Sequence, residues 1–142
     1  MSGSTLQQIV RDKTVFVEPR TTVAQTIKEV REFTPTDDGA SVYYVYVIDD
    51  EKLIGVVSLR ELLNAVDSDP VSEVMTTELV TASTSDTLAR VIRQIIDSRF
   101  EVLPVVDESE RFVGVVRAND VIDALDEQTT KQLFKQAGFW MR

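Results

Sequence analysis

The sequence predicts an α/β (α+β) fold in which two β-α-β-β-α repeats are followed by a C-terminal helix. Residues 45–57 (VYVIDDEKLIGVV) and 103–116 (LPVVDESERFVGVV) both encode an apolar strand, an acidic turn and a second apolar strand with an internal glycine. The two glycines, Gly55 and Gly114, lie 59 residues apart. A domain near 60 residues buries only about 60% of its unfolded surface. We therefore expect the two copies to pack sheet to sheet, with a cleft between them.

The first copy begins with an apolar strand at residues 15–17, followed by a helix. That helix carries three apolar residues on one face: Val23, Ile27 and Val30. A loop insertion at residues 34–40, rich in Pro, Gly and Asp, precedes the strand at 42–48. After the second hairpin strand, a helix carries apolar residues at i, i+3, i+4 and i+7: Leu59, Leu62, Leu63 and Val66.

The second copy repeats this order, with predicted strands at residues 79–81 and 101–106. Its first helix has three apolar residues on one face: Leu88, Ile92 and Ile95. Its second helix has four: Ala118, Val121, Ile122 and Leu125. The hairpin strands of both copies are nearly all apolar, which predicts sheets covered by helices rather than sheets with a solvated face.

These patterns divide the chain into a first repeat at residues 12–70, a second at 71–125 and a C-terminal helix and tail at 126–142. Residues 67–70 (DSDP) mark the junction between the repeats. An apolar cluster at residues 139–141 (FWM) ends the tail. It indicates either a packed tail or a boundary beside a membrane or a partner, in which case the chain is a fragment.

Composition excludes several function classes. The chain has a net charge of −9 and contains neither cysteine nor histidine. Disulfides, thiolate or imidazole metal sites and histidine-dependent catalysis are therefore excluded, and we expect no enzyme activity. The acidic balance disfavours nucleic acid and anionic lipid and favours cations or a basic partner. No apolar run reaches the length of a membrane span and no signal peptide is visible, so we expect a cytosolic segment without direct membrane insertion.

Residues 103–108 (LPVVDE) precede a short turn, and residues 114–116 (GVV) lead into a helix that holds an acidic residue. In these segments the sequence resembles a pair of cystathionine-β-synthase (CBS) domains, a Bateman module. Within that superfamily, residues 42–49 (VYYVYVID), 56–62 (VVSLREL) and 100–107 (FEVLPVVD) are similar to the cytosolic CBS pair of MgtE-type magnesium transporters.

The resemblance implies a sensor rather than an enzyme. It implies a homodimer at the cytosolic face of the cell membrane, whose acidic surfaces bind Mg²⁺ and control a transmembrane pore domain of the same longer chain. It also implies that ATP or another adenine nucleotide can bind. The charge agrees with this, because a dimer carries −18 and divalent cations relieve its self-repulsion. The alternative is a soluble, nucleotide-sensing CBS pair that regulates an unrelated partner.

By this resemblance, six residues are candidates for nucleotide binding: Ser58, Arg60, Glu61, Arg117, Asn119 and Asp120. The spacing of Ser58 and Glu61 is also that of a helix-capping box, which needs no ligand. Arg117 stands where the family usually has a hydroxyl, and Glu61 where it usually has Asp. Both departures weaken the expectation of ATP binding.

The candidate metal ligands lie near the junction and the last helix: Asp67, Asp69, Asp97, Asp123, Asp126 and Glu127. Mg²⁺ keeps several waters and uses one or two carboxylates per site, so it leaves no tight sequence motif. Val66, Thr87 and Arg99 occupy positions where the family tends to place acids. Among the tyrosines, Tyr44 and Tyr46 share one strand face and Tyr43 takes the other, which indicates core and dimer packing or, alternatively, adenine stacking.

Overall fold

The computed structural model describes residues 6–33 and 44–125. These residues form two compact units. The first unit comprises residues 13–33, 44–79 and 110–112, and the second comprises 6–12, 80–109 and 113–125. Each unit is built around one three-stranded sheet. The mixed α/β (α+β) class and the repeated β-α-β-β-α order are confirmed. The predicted C-terminal helix lies outside the described residues.

The elements of the first copy follow the predicted order: β1 (Phe16–Val17), α1 (Val23–Glu32), β2 (Tyr44–Asp49), β3 (Lys52–Ser58) and α2 (Leu59–Asn64). β1 pairs in parallel with β2, which pairs antiparallel with β3. The β2–β3 turn consists of Asp50 and Glu51, both in the left-handed region with φ of 51° and 69°. This φ is required at both central positions of the tight hairpin turns that match strand twist.

The core of the first unit consists of seven valines and one leucine, and four of the valines come from the strands: Val15, Val17, Val23, Val45, Val47, Val57, Leu62 and Val71. The predicted apolar face of α1 is confirmed, because Val23 is buried and Ile27 and Val30 pack against this core. The predicted face of α2 is wrong at two positions. Leu63 and Val66 are 65% and 61% exposed, whereas Leu62 is 1% exposed.

The error in α2 has a simple cause. The helix ends at Asn64, and Ala65 is already extended, with φ −91° and ψ 167°. Val66 therefore lies beyond the helix and does not continue its face. In a helix of six residues only one narrow stripe meets the core, and Leu63 lies outside it.

The second copy contains β4 (Ala82–Ser83), α3 (Leu88–Ser98), β5 (Val102–Val106), β6 (Phe112–Arg117) and α4 (Ala118–Ala124). β4 pairs in parallel with β5, and β6 completes the sheet. The predicted strand at 79–81 is wrong in position, since pairing begins at Ala82. The carbonyl of Thr81 instead accepts a hydrogen bond from the Gln94 side chain, at 2.9 Å.

The N-terminal segment packs onto the second copy, although the predicted repeats begin only at residue 12. Leu6 is fully buried in the core of the second unit. Arg11 and Val115 exchange two backbone hydrogen bonds of 2.8 Å. This close approach requires Gly114, because a Cβ there would lie 2.4 Å from the Arg11 carbonyl oxygen, and the glycine has a φ of +149°.

Candidate functional site

The first candidate nucleotide position is the start of α2. Ser58 Oγ accepts the Glu61 backbone N–H at 3.1 Å, and Glu61 Oε1 accepts the Ser58 backbone N–H at 2.8 Å. This reciprocal pair confirms the capping box. Arg60 is exposed between them. Ser58 and Glu61 are therefore already used to satisfy the helix start, and Arg60 is the nearby cation for an anionic ligand.

The second candidate position, at the start of α4, has a different arrangement. Arg117 occupies the N-cap position but its side chain makes no cap hydrogen bond. Its Nε instead approaches Asp120 Oδ2 at 3.3 Å. Arg11 donates to the same carboxylate from two nitrogens, Nε to Oδ2 at 2.7 Å and Nη2 to Oδ1 at 3.1 Å. Asp120 is thus held by two guanidinium groups, one of them bidentate.

These contacts change the acidity of Asp120. The hydrogen bond from Arg11, reinforced by Arg117, lowers the pKa of this carboxyl below its usual value of 3.8, against the opposing effect of burial. The carboxylate is consequently ionised at neutral pH and already satisfied from within the chain. Asn119, the remaining predicted residue of this position, is exposed on α4.

Sequence reasoning missed Arg11. It lies 109 residues from Asp120 in the chain, and no periodicity or capping pattern links the two. The fold brings them together because the backbone of Arg11 pairs with β6 next to the start of α4. A cleft of about 540 Å³ lies here, lined among others by Arg11, Asp120 and Asp123.

The four predicted metal ligands that the structure describes come from both units. Asp67 and Asp69 lie in the first unit, and their backbone carbonyls accept the N–H groups of Ala24 and Val23 at 3.0 and 2.8 Å. These bonds satisfy the start of α1. The side chain of Asp67 is exposed and that of Asp69 is half-buried.

In the second unit, Asp97 on α3 and Asp123 on α4 are both exposed. Asp126 and Glu127 lie outside the described residues. Within residues 6–33 and 44–125, no group of three or more acidic side chains is arranged to hold a metal ion. The metal assignments therefore stay predictions.

At the three positions where the resemblance leads one to expect acids, Thr87 and Arg99 form the two ends of α3 and Val66 lies on the surface. Thr87 is the N-cap of α3, where its Oγ1 accepts the Arg90 N–H at 3.1 Å. Arg99 ends α3 with a left-handed φ of 66°. Val66 is exposed.

Of the tyrosines on β2, Tyr46 is the buried one, with 2% of its surface exposed. Its ring lies 5.5 Å from the ring of Phe112. Burial raises the pKa of the Tyr46 hydroxyl well above its usual range. The core-packing interpretation is confirmed for Tyr46, whereas Tyr44 is half-buried and Tyr43 lies outside the described residues.

With this geometry in hand, comparison with known proteins defines the class. The CBS domain model matches residues 6–68 and 71–127, so the chain belongs to the CBS domain family. It is a CBS domain pair homologous to the cytosolic domain of the magnesium transporter MgtE. It is 38% identical over 122 residues to "Magnesium transporter MgtE" of Thermus thermophilus, covering 85% of this chain and 27% of that protein. The chain thus spans about a quarter of that relative's length.

Solved structures agree. The cytosolic domain of the Mg²⁺ channel MgtE in complex with ATP is 35% identical, with a TM-score of 0.78 over 85% of this chain and 48% of that one. CBSX2 in complex with AMP is 25% identical, with a TM-score of 0.70 over 86% of this chain and 96% of that one. In residues 6–33 and 44–125, no helix has the length and apolarity needed to cross a bilayer.

Proposed function

We propose that the chain is the regulatory module of a magnesium transporter or channel, acting at the cytosolic face of the membrane and catalysing no reaction. One observation carries this proposal: 38% identity to MgtE over 85% of the chain. The composition supports this proposal, because the chain contains no histidine or cysteine and has an excess of carboxylates. In this proposal the module forms a homodimer, and Mg²⁺ favours its compact state and thereby controls the pore domain.

The physical basis is charge neutralisation. Two chains together carry −18, so bringing acidic surfaces close costs repulsion that a divalent cation relieves. The exposed carboxylates Asp97 and Asp123 suit this role, because Mg²⁺ binds through one or two carboxylates and retains several waters. Sites of this kind are weak, as a sensor of millimolar concentrations requires.

Magnesium titration tests the proposal. We expect millimolar MgCl₂ to raise the melting temperature and lower the hydrodynamic radius of the purified chain more than NaCl of equal ionic strength. A ligand at ten times its Kd stabilises the folded state by about 1.4 kcal/mol. If MgCl₂ and matched NaCl act alike, Mg²⁺ sensing by this chain is refuted.

Variants then separate the predicted ligands from general acidity. The double variant D97N/D123N removes two predicted ligands, and E73Q/E78Q removes two other exposed carboxylates outside the predicted set. We expect only the first to weaken the Mg²⁺-specific response. Equal losses in both would assign the effect to net charge and refute the choice of Asp97 and Asp123.

A second candidate function is adenine-nucleotide sensing for an unrelated partner. It is favoured by two related structures, the MgtE cytosolic domain in complex with ATP and CBSX2 in complex with AMP. Calorimetric titration with ATP and AMP tests it. R60A probes one of the predicted nucleotide-binding residues, and its matched control is R31A, another exposed arginine. If R60A and R31A bind the nucleotide equally well, Arg60 is not a ligand; if the wild type binds neither nucleotide, this candidate is excluded.

A further inference from the structure

A cleft of about 640 Å³ in the first unit has an aromatic lining. We call it the aromatic cleft. Phe16, on the edge strand β1, lines it and is 52% exposed. The ring centre of Phe16 lies 6.0 Å from that of Phe112, which also lines the cleft. An exposed phenylalanine ring offers the electron-rich face that attracts a cation.

The charged residues that line the aromatic cleft are acidic: Glu18, Glu29, Asp50 and Glu51. All four are exposed. Among the described residues the lining contains no lysine or arginine. Arg111 reaches Glu51 only at 3.9 Å, a surface pair that contributes little and leaves the acidic excess in place. The electrostatics therefore favour a cationic occupant.

The combination of rings and carboxylates distinguishes between kinds of cation. Mg²⁺ is bound by oxygen ligands and retains its waters, so it gains nothing from Phe16 or Phe112. A linear polyamine alternates ammonium groups with methylene runs. The methylenes cover apolar rings while the ammonium groups pair with carboxylates at the rim, and each ring face adds a cation–π attraction. We propose that the aromatic cleft binds an organic polycation of the polyamine class.

Calorimetric titration of the full chain with spermidine at low ionic strength tests this site. We expect F16A to weaken spermidine binding about two- to fivefold, the size of an exposed cation–π contact. We expect E18Q/E29Q to weaken it at least as much. The matched controls are F100A, which removes another partly exposed phenylalanine, and E73Q/E78Q, which removes two carboxylates elsewhere.

The outcomes separate a built site from diffuse counterion binding. Unchanged binding by F16A would overturn the proposal, as would equal weakening by E18Q/E29Q and E73Q/E78Q. Displacement of spermidine by MgCl₂ beyond the effect of matched NaCl would show a shared oxygen site and would also overturn it. If circular dichroism shows that F16A unfolds, F16L keeps the apolar contact, removes the ring face, and is expected to weaken binding similarly. The Mg²⁺ response of the wild type is measured separately, so this proposal and the sensor proposal fail independently.

Discussion

The ion pair between Arg11 and Asp120 should fasten the N-terminal segment to the second copy, and D120N tests this. The substitution keeps the shape of the side chain but removes the charge that faces Arg11 and Arg117. Hydrogen bonds to charged groups contribute about 1.5–3 kcal/mol each. Because the Arg11 side chain is 36% exposed, whereas that of Asp120 is 15% exposed, water offsets part of this. We expect a loss of about 1–2 kcal/mol at neutral pH.

For a chain of this size, that loss corresponds to a fall in melting temperature of roughly 3–6 °C. The assay is urea and thermal unfolding of wild type and D120N, followed by circular dichroism. D123N is the matched control, because it removes an exposed carboxylate from the same helix. The double-mutant cycle of R11Q with D120N isolates the coupling between the two side chains.

The pH dependence provides a second readout. The pKa of Asp120 is lower in the folded chain than its usual 3.8, so the folded state binds fewer protons there in acid. Its stabilising contribution is complete above the usual value and is lost as the pH falls through the lowered value. The stability gap between wild type and D120N should therefore stay constant from about pH 7 to pH 5 and shrink below about pH 4.

The reasoning is refuted if D120N is as stable as D123N at neutral pH. It is also refuted if the gap does not shrink as the pH falls through the lowered pKa of Asp120, or if R11Q and D120N are additive. Additivity would mean that the two side chains stabilise the protein independently.

Three further predictions concern folding. S58A should lose about 1 kcal/mol in urea unfolding because it removes one half of a capping box, whereas S58T should keep most of it. G114A should lose more than about 2 kcal/mol, since its Cβ would meet the carbonyl of Arg11 at 2.4 Å; an unchanged urea midpoint would contradict this contact. L62A should cost about 2–5 kcal/mol and L63A less than about 0.5 kcal/mol, and equal costs would contradict the assigned face of α2.

Much of the fold could be predicted because it is encoded locally. The apolar runs, the turn residues and the Ser58–Glu61 spacing act over a few residues, so the repeat order and the capping box are visible in the sequence. The ends of elements were less predictable. The apolar pattern of α2 continues to Val66, but the extended conformation of Ala65 ends the helix first.

The candidate site could be predicted only in part, because its partners come from distant segments. Asp120 was identified by position, yet the residue that determines its environment is Arg11, 109 residues away. Likewise, Phe16 and Phe112 come from opposite halves of the chain. The candidate metal ligands are predicted from charge and from their position near the junction and the last helix, and neither feature specifies a shared site. In the described residues, no group of three or more acidic side chains is arranged to hold a metal ion.

The hydrogen bonds that Glu61 and Asp120 already make within the chain affect which ligand can bind at the two candidate nucleotide positions. At the second position, a neutral ligand hydroxyl that displaced the Arg11 guanidinium from Asp120 would exchange a bidentate ion pair for a single hydrogen bond. A cost of about 1.4 kcal/mol for that exchange lowers affinity tenfold. At the first position, Glu61 accepts from the Ser58 backbone through Oε1. Asp97 and Asp123, by contrast, are exposed and need no rearrangement to meet a hydrated cation. The internal pairing of Asp120 thus opposes nucleotide binding at the second position, and the exposure of Asp97 and Asp123 agrees with the proposed role of Mg²⁺.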